Sequence, residues 1–394
     1  IKECDWSSDV CSSDLTSPNH RGNQDHHRGG GRDNSLSLAL ARKNSRQSLL
    51  NHTHSLSGEY PLTLMTTPIT NQTPVSIILP VLNEERYLEA TVAAITSQDY
   101  EGELEIILAL GPSRDRTNVV AARLAESNSR IKLVENPSGR TADALNKAIA
   151  QSSYPIIVRV DGHSILPQGY IREAVATLAR TGAVNVGGIM AAEGISTFER
   201  AVAAAMRSKF GVGGASFHVG GVEGPADTVY LGVFLRSAIN EIRGFDPRFI
   251  RAQDWELNYR LRERGGLVYF NPRLQVTYRP RPNLRSLAKQ YFEYGRWRRE
   301  VARSHKGTIN LRYLAPPATL LGFSLGLIGA LVNPIFLLLP LLYILFNVVA
   351  TLVLFARNPS PAMFLLPIIL LTMHFSWAWG FLTSTKRVTA KLSR

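Results

Sequence analysis

The chain has 394 residues, is 45% hydrophobic and 19% charged, and carries a formal net charge of +13. This composition excludes a wholly disordered chain, and the length suits one large domain with an appendage, or two domains. The basic excess calls for a negatively charged partner: nucleic acid, anionic lipid or a phosphorylated substrate.

Residues 1–64 have no apolar period and hold five of the nine histidines, a composition that cannot build a core. The opening "DWSSDVCSSDL" reads like a translated library adapter, and Met65 is the first methionine. The protein is therefore expected to begin at Met65, with a disordered tail as the alternative. Both cysteines, Cys4 and Cys11, fall in this stretch. The remainder holds no disulfide framework and no cysteine metal site, which suits a reducing compartment. No secretory signal peptide precedes Val75.

From Val75 strands and helices alternate. "VSIILPVL", "LEIILAL", "RIKLVEN" and "YPIIVRV" are β-branched apolar runs, separated by the helical patterns "EERYLEATVAAITSQ", "NVVAARLAES" and "RTADALNKAIAQS". This order predicts right-handed βαβ units on a parallel sheet, with ligands at the carboxyl ends of its strands. Asn83, Glu84, Asp115 and Asp161 all fall there. "IREAVATLARTG", "AVNVGGIM" and "FERAVAAAMRSKFG" add helix, strand and helix. The glycine-rich "GVGGASFHVGGVEG" that follows is either a lid over a ligand or a plain connection. "TVYLGVFLRSAINEIRGF", "DWELNYRLRERG" and "LVYFNPRLQVTYRP" complete a domain spanning 65–283.

Between Arg279 and Arg312 ten Lys or Arg stand against Glu293 and Glu300. Arg285, Lys289, Arg296, Arg299 and Arg303 share one helical face beside Leu284, Leu287, Tyr291 and Tyr294. The stretch 284–312 thus reads as a basic amphipathic helix suited to an anionic membrane surface. A nucleic-acid partner is not expected, since no nucleic-acid module accompanies the charge. Three apolar stretches follow within 313–384: Leu314–Val332, Ile335–Phe355 and Pro361–Leu382, each near the ~20 residues that cross a bilayer. Arg312 and the basic tail 385–394 both favour the cytoplasmic side, which requires an even number of spans. One of the three, the glycine-rich first by preference, is then re-entrant or interfacial.

Asp161-Gly162-His163 closes the fourth strand, and taken alone the tripeptide favours a plain turn over a metal or phosphate site. Carboxylate oxygens there suit Mg²⁺ or Mn²⁺, and an imidazole is tolerated better by Mn²⁺. Asp254 and Glu256 open a helix, where they serve either as N-terminal caps or as a general base for an incoming hydroxyl.

In order, "SIILPVLNEE", "GPSRDRT", "GRTADALN", "VRVDGH", "YLGVFLR" and "QDWELNYRLRERG" resemble the family 2 inverting glycosyltransferases of GT-A fold, nearest to the succinoglycan-biosynthesis branch. The resemblance covers Val75 to Trp297. It implies an α/β GT-A domain followed by transmembrane helices. It places Pro80, Asn83, Glu84, Asp115, Arg140, Asn146 and Asp161 at a nucleotide-sugar, with a divalent cation (Mn²⁺ or Mg²⁺) on Asp161 and His163. Asp254 becomes the catalytic base, and Gln253, Glu256, Arg296 and Trp297 lie near the acceptor or its phosphate. Leu110 and Gly111 stand where many relatives carry an aspartate, and Glu293 replaces the glutamine of the processive synthases' Gln-x-x-Arg-Trp. The expected protein is a multi-pass enzyme of the plasma membrane with its catalytic domain cytoplasmic. It would transfer one sugar, from a UDP-sugar by expectation, to a polyprenyl-linked or other glycan acceptor in exopolysaccharide or cell-envelope assembly. A processive synthase and a non-catalytic membrane scaffold are the alternatives.

Overall fold

A computed structural model describes residues 68–385. The expected start at Met65, the segment before it and the tail from Lys386 onward lie outside the described residues. Four strands, β1 (Val75–Val81), β2 (Leu104–Leu110), β3 (Ile131–Glu135) and β4 (Ile156–Arg159), are each followed by a helix. These helices are α1 (Leu88–Thr96), α2 (Thr117–Ser127), α3 (Thr141–Gln151) and α4 (Tyr170–Thr181). Next come β5 (Asn185–Ala192), α5 (Thr197–Met206), α6 (Lys209–Val212), α7 (Ser216–Val219), β6 (Gly224–Pro225) and β7 (Tyr230–Leu235). The domain closes with α8 (Arg236–Glu241), α9 (Gln253–Glu263) and β8 (Val268–Tyr278).

One eight-stranded sheet runs in the order β3-β2-β1-β4-β7-β5-β8-β6. β1 to β4 are parallel, as the alternation of strand and helix requires. β5 and β8 are also parallel, whereas β7 runs antiparallel to both β4 and β5. The reversal follows from the path: the glycine-rich stretch re-enters the sheet from the edge where β5 ended, so β7 must run back down it. Every residue of β1 is buried, which explains its unbroken apolar run. The one polar exception, Ser76, donates to Glu105 of β2 at 2.6 Å. Glu105 also takes Lys132 of β3 at 2.6 Å, so the three strands are joined through a buried carboxylate whose partner ammonium stays half-exposed.

Beyond β8 the chain forms α10 (Leu284–Ser304), α11 (Leu311–Gly329), α12 (Leu338–Arg357) and α13 (Leu366–Thr383). Three segments are long and apolar enough to cross a membrane: Leu311–Gly329, Pro334–Arg357 and Pro361–Thr383. They differ in cover. Leu325, Leu327, Leu338, Leu341 and Leu352 leave α11 and α12 apolar on the outside, as lipid contact would demand. In contrast Leu366, Ile369, Leu370 and Met373 of α13 join the core of the α/β domain. α13 lies side by side with α10, and the two backbones meet at glycines. A Cβ on Gly380 would stand 1.9 Å from the Phe292 carbonyl oxygen, and one on Gly295 2.0 Å from that of Trp377. Two members of the basic face of α10 cap this neighbour. Arg299 donates to the carbonyls of Phe381 and Leu382 at 2.7 and 2.8 Å, and Arg303 donates to that of Ser384. The C-terminal carbonyls of α13, which have no intrahelical donors, are thereby satisfied by cations.

Candidate active site

The carboxyl ends of β1, β2 and β4 meet in one place. After β1, Asn83 takes a left-handed φ of 58°, a conformation asparagine tolerates. Its side-chain oxygen accepts from the Arg114 N–H at 2.8 Å, while its own N–H donates to Ser113 at 3.1 Å. Asp115 accepts from the N–H groups of Glu85 and Thr117 at 3.3 and 3.1 Å. Asn83 and Asp115 therefore clasp the loops after β1 and β2 together, and the edge they build is rigid. Pro80 sits within buried β1, level with Ala109 of β2.

Arg140 precedes α3, and its Nε donates to Asp143 at 2.8 Å. Asn146 spends both ends of its amide on Phe245, donating to the carbonyl at 2.7 Å and accepting from the N–H at 2.8 Å. That pair ties α3 to the loop leading towards α9.

Asp161 follows β4 and is 2% exposed. Its Oδ1 accepts from Arg159 Nη2 at 3.0 Å and from Nε at 3.3 Å. Its Oδ2 is buried and has no hydrogen-bond partner among the described residues. His163 sits with Nδ1 2.8 Å from Glu84 Oε1. Burial opposes charge on this ring, but Glu84 and Asp161 outweigh it and the imidazole pKa is raised. A carboxylate behind an imidazole is also the arrangement that orients a metal-ligating histidine. Among the described residues no three metal-ligating side chains converge. The orphaned Asp161 oxygen and His163 thus fit a divalent cation that takes the rest of its coordination from a diphosphate and water.

Asp254 stands in the first turn of α9, placed there by Ala252, whose φ of 58° is strained for a residue with a Cβ. Its carboxylate receives Nη1 of Arg159. Arg159 is fully buried in β4, so a single guanidinium joins the carboxylate expected at the cation to the one expected as the base. Burial alone would disfavour its charge, yet Asp161 and Asp254 outweigh that and its pKa is raised. Tyr230, on β7 beside this group, is held a neutral phenol: burial, then the nearby Asp161, drives its pKa up.

A cavity of about 890 Å³ opens from Asp254. Gln253 and Trp297 line it, together with Phe217 and His218 of the glycine-rich segment. Glu256 turns away: it is held by Arg260 Nε and Nη2 at 2.7 Å each and lies 3.2 Å from His305. Arg296 pairs with Glu293 at 2.8 Å and does not line the cavity, whereas Arg298, two residues on, does. Arg298 lies between two rings, its Cζ 4.2 Å from the centre of Trp255 and 3.8 Å from that of Tyr313. Burial pushes this guanidinium down to about 10, so it remains a cation at neutral pH.

Sequence reasoning missed Arg159, Trp255, Arg298 and Arg312. For Arg159 a signal existed: a charge inside the apolar run "YPIIVRV" must be paired where it is buried. Arg298 and Arg312 carry no such local signal, because only the fold seats both guanidiniums on the ring of Tyr313.

Comparison with known proteins agrees with this fold. The family model described as Glycosyl transferase family 2 matches residues 76–242. The succinoglycan biosynthesis protein ExoA of Rhizobium meliloti (strain 1021) is 31% identical over 259 residues, covering 65% of this chain and 78% of that protein. A dolichyl N-acetyl-alpha-D-glucosaminyl phosphate 3-beta-D-2,3-diacetamido-2,3-dideoxy-beta-D-glucuronosyltransferase of Methanococcus voltae is 28% identical over 318 residues, or 78% of this chain and 95% of that protein. Among solved structures, the mannosyltransferase PcManGT from Pyrobaculum calidifontis, in complex with GDP-Man and Mn²⁺, is similar in fold. It superposes with a TM-score of 0.50 at 18% identity, covering 80% of this chain and 88% of that one. With its sheet, its strand-end carboxylates and the ExoA relative in agreement, the chain belongs to glycosyl transferase family 2 and is a glycosyltransferase.

Proposed function

We propose that this enzyme transfers a single sugar, with inversion, from a nucleotide-sugar to a lipid-linked glycan acceptor in exopolysaccharide or cell-envelope assembly. The observation that carries the reading is the cavity, which runs from Asp254 at one end to the apolar walls of α11 and α12 at the other. The donor would lie at the strand ends, against Asn83, Glu84, Asp115 and Asp161, as the nucleotide does in open α/β sheets. Asp161 and His163 would hold a divalent cation there, which when bound offsets negative charge on the leaving diphosphate. Asp254 takes the proton of the acceptor hydroxyl as its oxygen bonds to the anomeric carbon and the diphosphate departs with the bonding pair. Arg159 keeps that carboxylate in place. A UDP donor follows from the family resemblance. The relatives named for succinoglycan and for a dolichyl-linked glycan support the acceptor class.

Turnover of UDP-, GDP- and dTDP-sugars by the purified chain, with Mn²⁺ or Mg²⁺ and with chelator, tests this reading. One donor class should turn over, chelation should abolish turnover, and Asp254→Asn should lower kcat by ~10³-fold or more, since both positioned base and charge are lost. An Asp254→Asn variant as active as the parent would sink the assignment of the base.

We also place α13 at the membrane surface, with α11 and α12 crossing and the α/β domain cytoplasmic. α10 carries Arg285, Lys289, Arg296, Arg299 and Arg303, and such a helix cannot sit in hydrocarbon. α13, bound along it, stays at the same depth.

A further inference from the structure

We propose that Arg298 and Arg312, with the indole N–H of Trp255, form a phosphate-binding subsite for the acceptor's lipid headgroup, with the hydrocarbon tail running between α11 and α12. The inference rests on the reading of Asp254 as the acceptor-side base and names what that acceptor carries.

Among the buried donors of this cavity that lack an acceptor, three come from α9, α10 and α11. Trp255 Nε1, Arg298 Nε and Arg312 Nε have no hydrogen-bond partner among the described residues, and all three residues line the cavity that Asp254 opens into. Buried donors in folded proteins are nearly always paired, so three together mark a site built for an acceptor-rich ligand. The charges say which kind. Arg298 is 8% exposed, and neither Arg298 nor Arg312 forms an ion pair among the described residues. Both guanidiniums lean on the same ring, 3.8 and 4.6 Å from the centre of Tyr313. Two like charges held this close repel each other, and a phosphate or diphosphate is the ligand that relieves them with fork-shaped hydrogen bonds. Both are held in position independently of any ligand: Arg298 donates to the Thr308 carbonyl, and Arg312 to the Tyr313 hydroxyl at 2.5 Å.

Position within the fold selects a lipid over a nucleotide. Trp255 is the residue after Asp254, so the anion would sit beside the base rather than at Asp161 and His163, where the donor's diphosphate belongs. Arg312 is the second residue of α11, at the depth where lipid headgroups meet a crossing helix. On the far side the cavity is walled by Phe323, Leu339, Leu342 and Phe346. A nucleotide offers nothing to such walls, whereas an isoprenoid chain fills them.

The experiment is equilibrium binding to the detergent-purified full chain, with a short prenyl diphosphate, inorganic pyrophosphate and UDP as separate probes. The parent should bind the prenyl diphosphate more tightly than pyrophosphate, because the tail adds buried apolar area. Arg312→Gln and Arg298→Gln should each weaken prenyl diphosphate binding ~10-fold or more, as expected for a lost charge-assisted hydrogen bond. Arg312→Lys, which keeps the charge without the fork, should recover only part of it. Lys289→Gln removes an equal charge from the exposed side of α10 and should bind as the parent does. If Arg298→Gln fails to fold, as its melting curve would reveal, Arg312→Gln decides alone. Parent-like prenyl diphosphate binding in Arg312→Gln overturns the proposal. So does a loss confined to UDP, which would assign the arginines to the donor. Either result leaves the role of Asp254 to donor turnover, so the two readings fail separately.

Discussion

Arg159 concentrates the cost and the use of this site in one side chain. A fully buried guanidinium between Asp161 and Asp254 is tolerated because both carboxylates face it. Removing it leaves two carboxylates close together without their cation, and breaking a buried pair in this way costs about 3–5 kcal/mol. Arg159→Met should therefore lower the melting temperature sharply. Arg159→Lys keeps the charge but not the fork that reaches both partners at once. We expect it to fold and to lose ~10²-fold in kcat with little change in donor KM, since a carboxylate displaced by an ångström loses most of its effect. Steady-state kinetics on the lysine variant decide this: unchanged kcat would reduce Arg159 to a structural ion. The acids of this site were legible in the sequence because they close predicted strands or open predicted helices. Their partners were not, since Arg159 to Asp254 and Glu84 to His163 are contacts across 95 and 79 residues of chain.

At the level of elements, periodicity gave the strand–helix alternation from β1 to β4 and the start of α10, because burial on one face writes itself into spacing, but α10 ends at Ser304 and does not run on to Arg312 as expected. It did not give the partner of α10. Its basic face was expected to meet headgroups, yet Arg299 and Arg303 are committed to the end of α13. The determinants of that pairing are glycines, which mark close approach only once the two helices are seen together. At Gly380 a methyl group would collide with the Phe292 carbonyl, which is backbone and cannot swing aside. Gly380→Ala should therefore destabilise the protein by about 1–3 kcal/mol, the usual cost of overpacking. Gly322 on α11 has nothing within 4 Å of its Cβ position, so Gly322→Ala serves as the control and should be neutral or slightly stabilising through helix propensity. Paired melting curves compare them, and equal midpoints would show that α10 and α13 part without loss.

For the molecule as a whole, three apolar helices posed a parity conflict that the sequence could not resolve: Arg312 and the basic tail both favour the cytoplasm. Hydropathy treats each segment in isolation, and by that measure all three are long enough to cross. Packing separates them. α11 and α12 keep most of their leucines on the outside, although Ala350 and Leu354 of α12 reach the core, while α13 gives Leu366, Ile369, Leu370 and Met373 to the domain core and fastens its last turn to Arg299 and Arg303. On the topology proposed above, Ser384 would lie on the same side of the membrane as α10, giving two crossings rather than three. The helix expected to depart from a simple span was the glycine-rich α11, and we assign that departure to α13 instead. Residues 65–394 contain no cysteine, so single introduced thiols can report each loop once Cys4 and Cys11 are replaced. Val332, Asn358 and Thr385 are all exposed and lie between or after the helices. With a membrane-impermeant maleimide on intact cells, Val332→Cys should react, whereas Asn358→Cys and Thr385→Cys should react only after permeabilisation. Labelling of Thr385→Cys in intact cells would carry α13 through the bilayer and force its contacts with α10 to break.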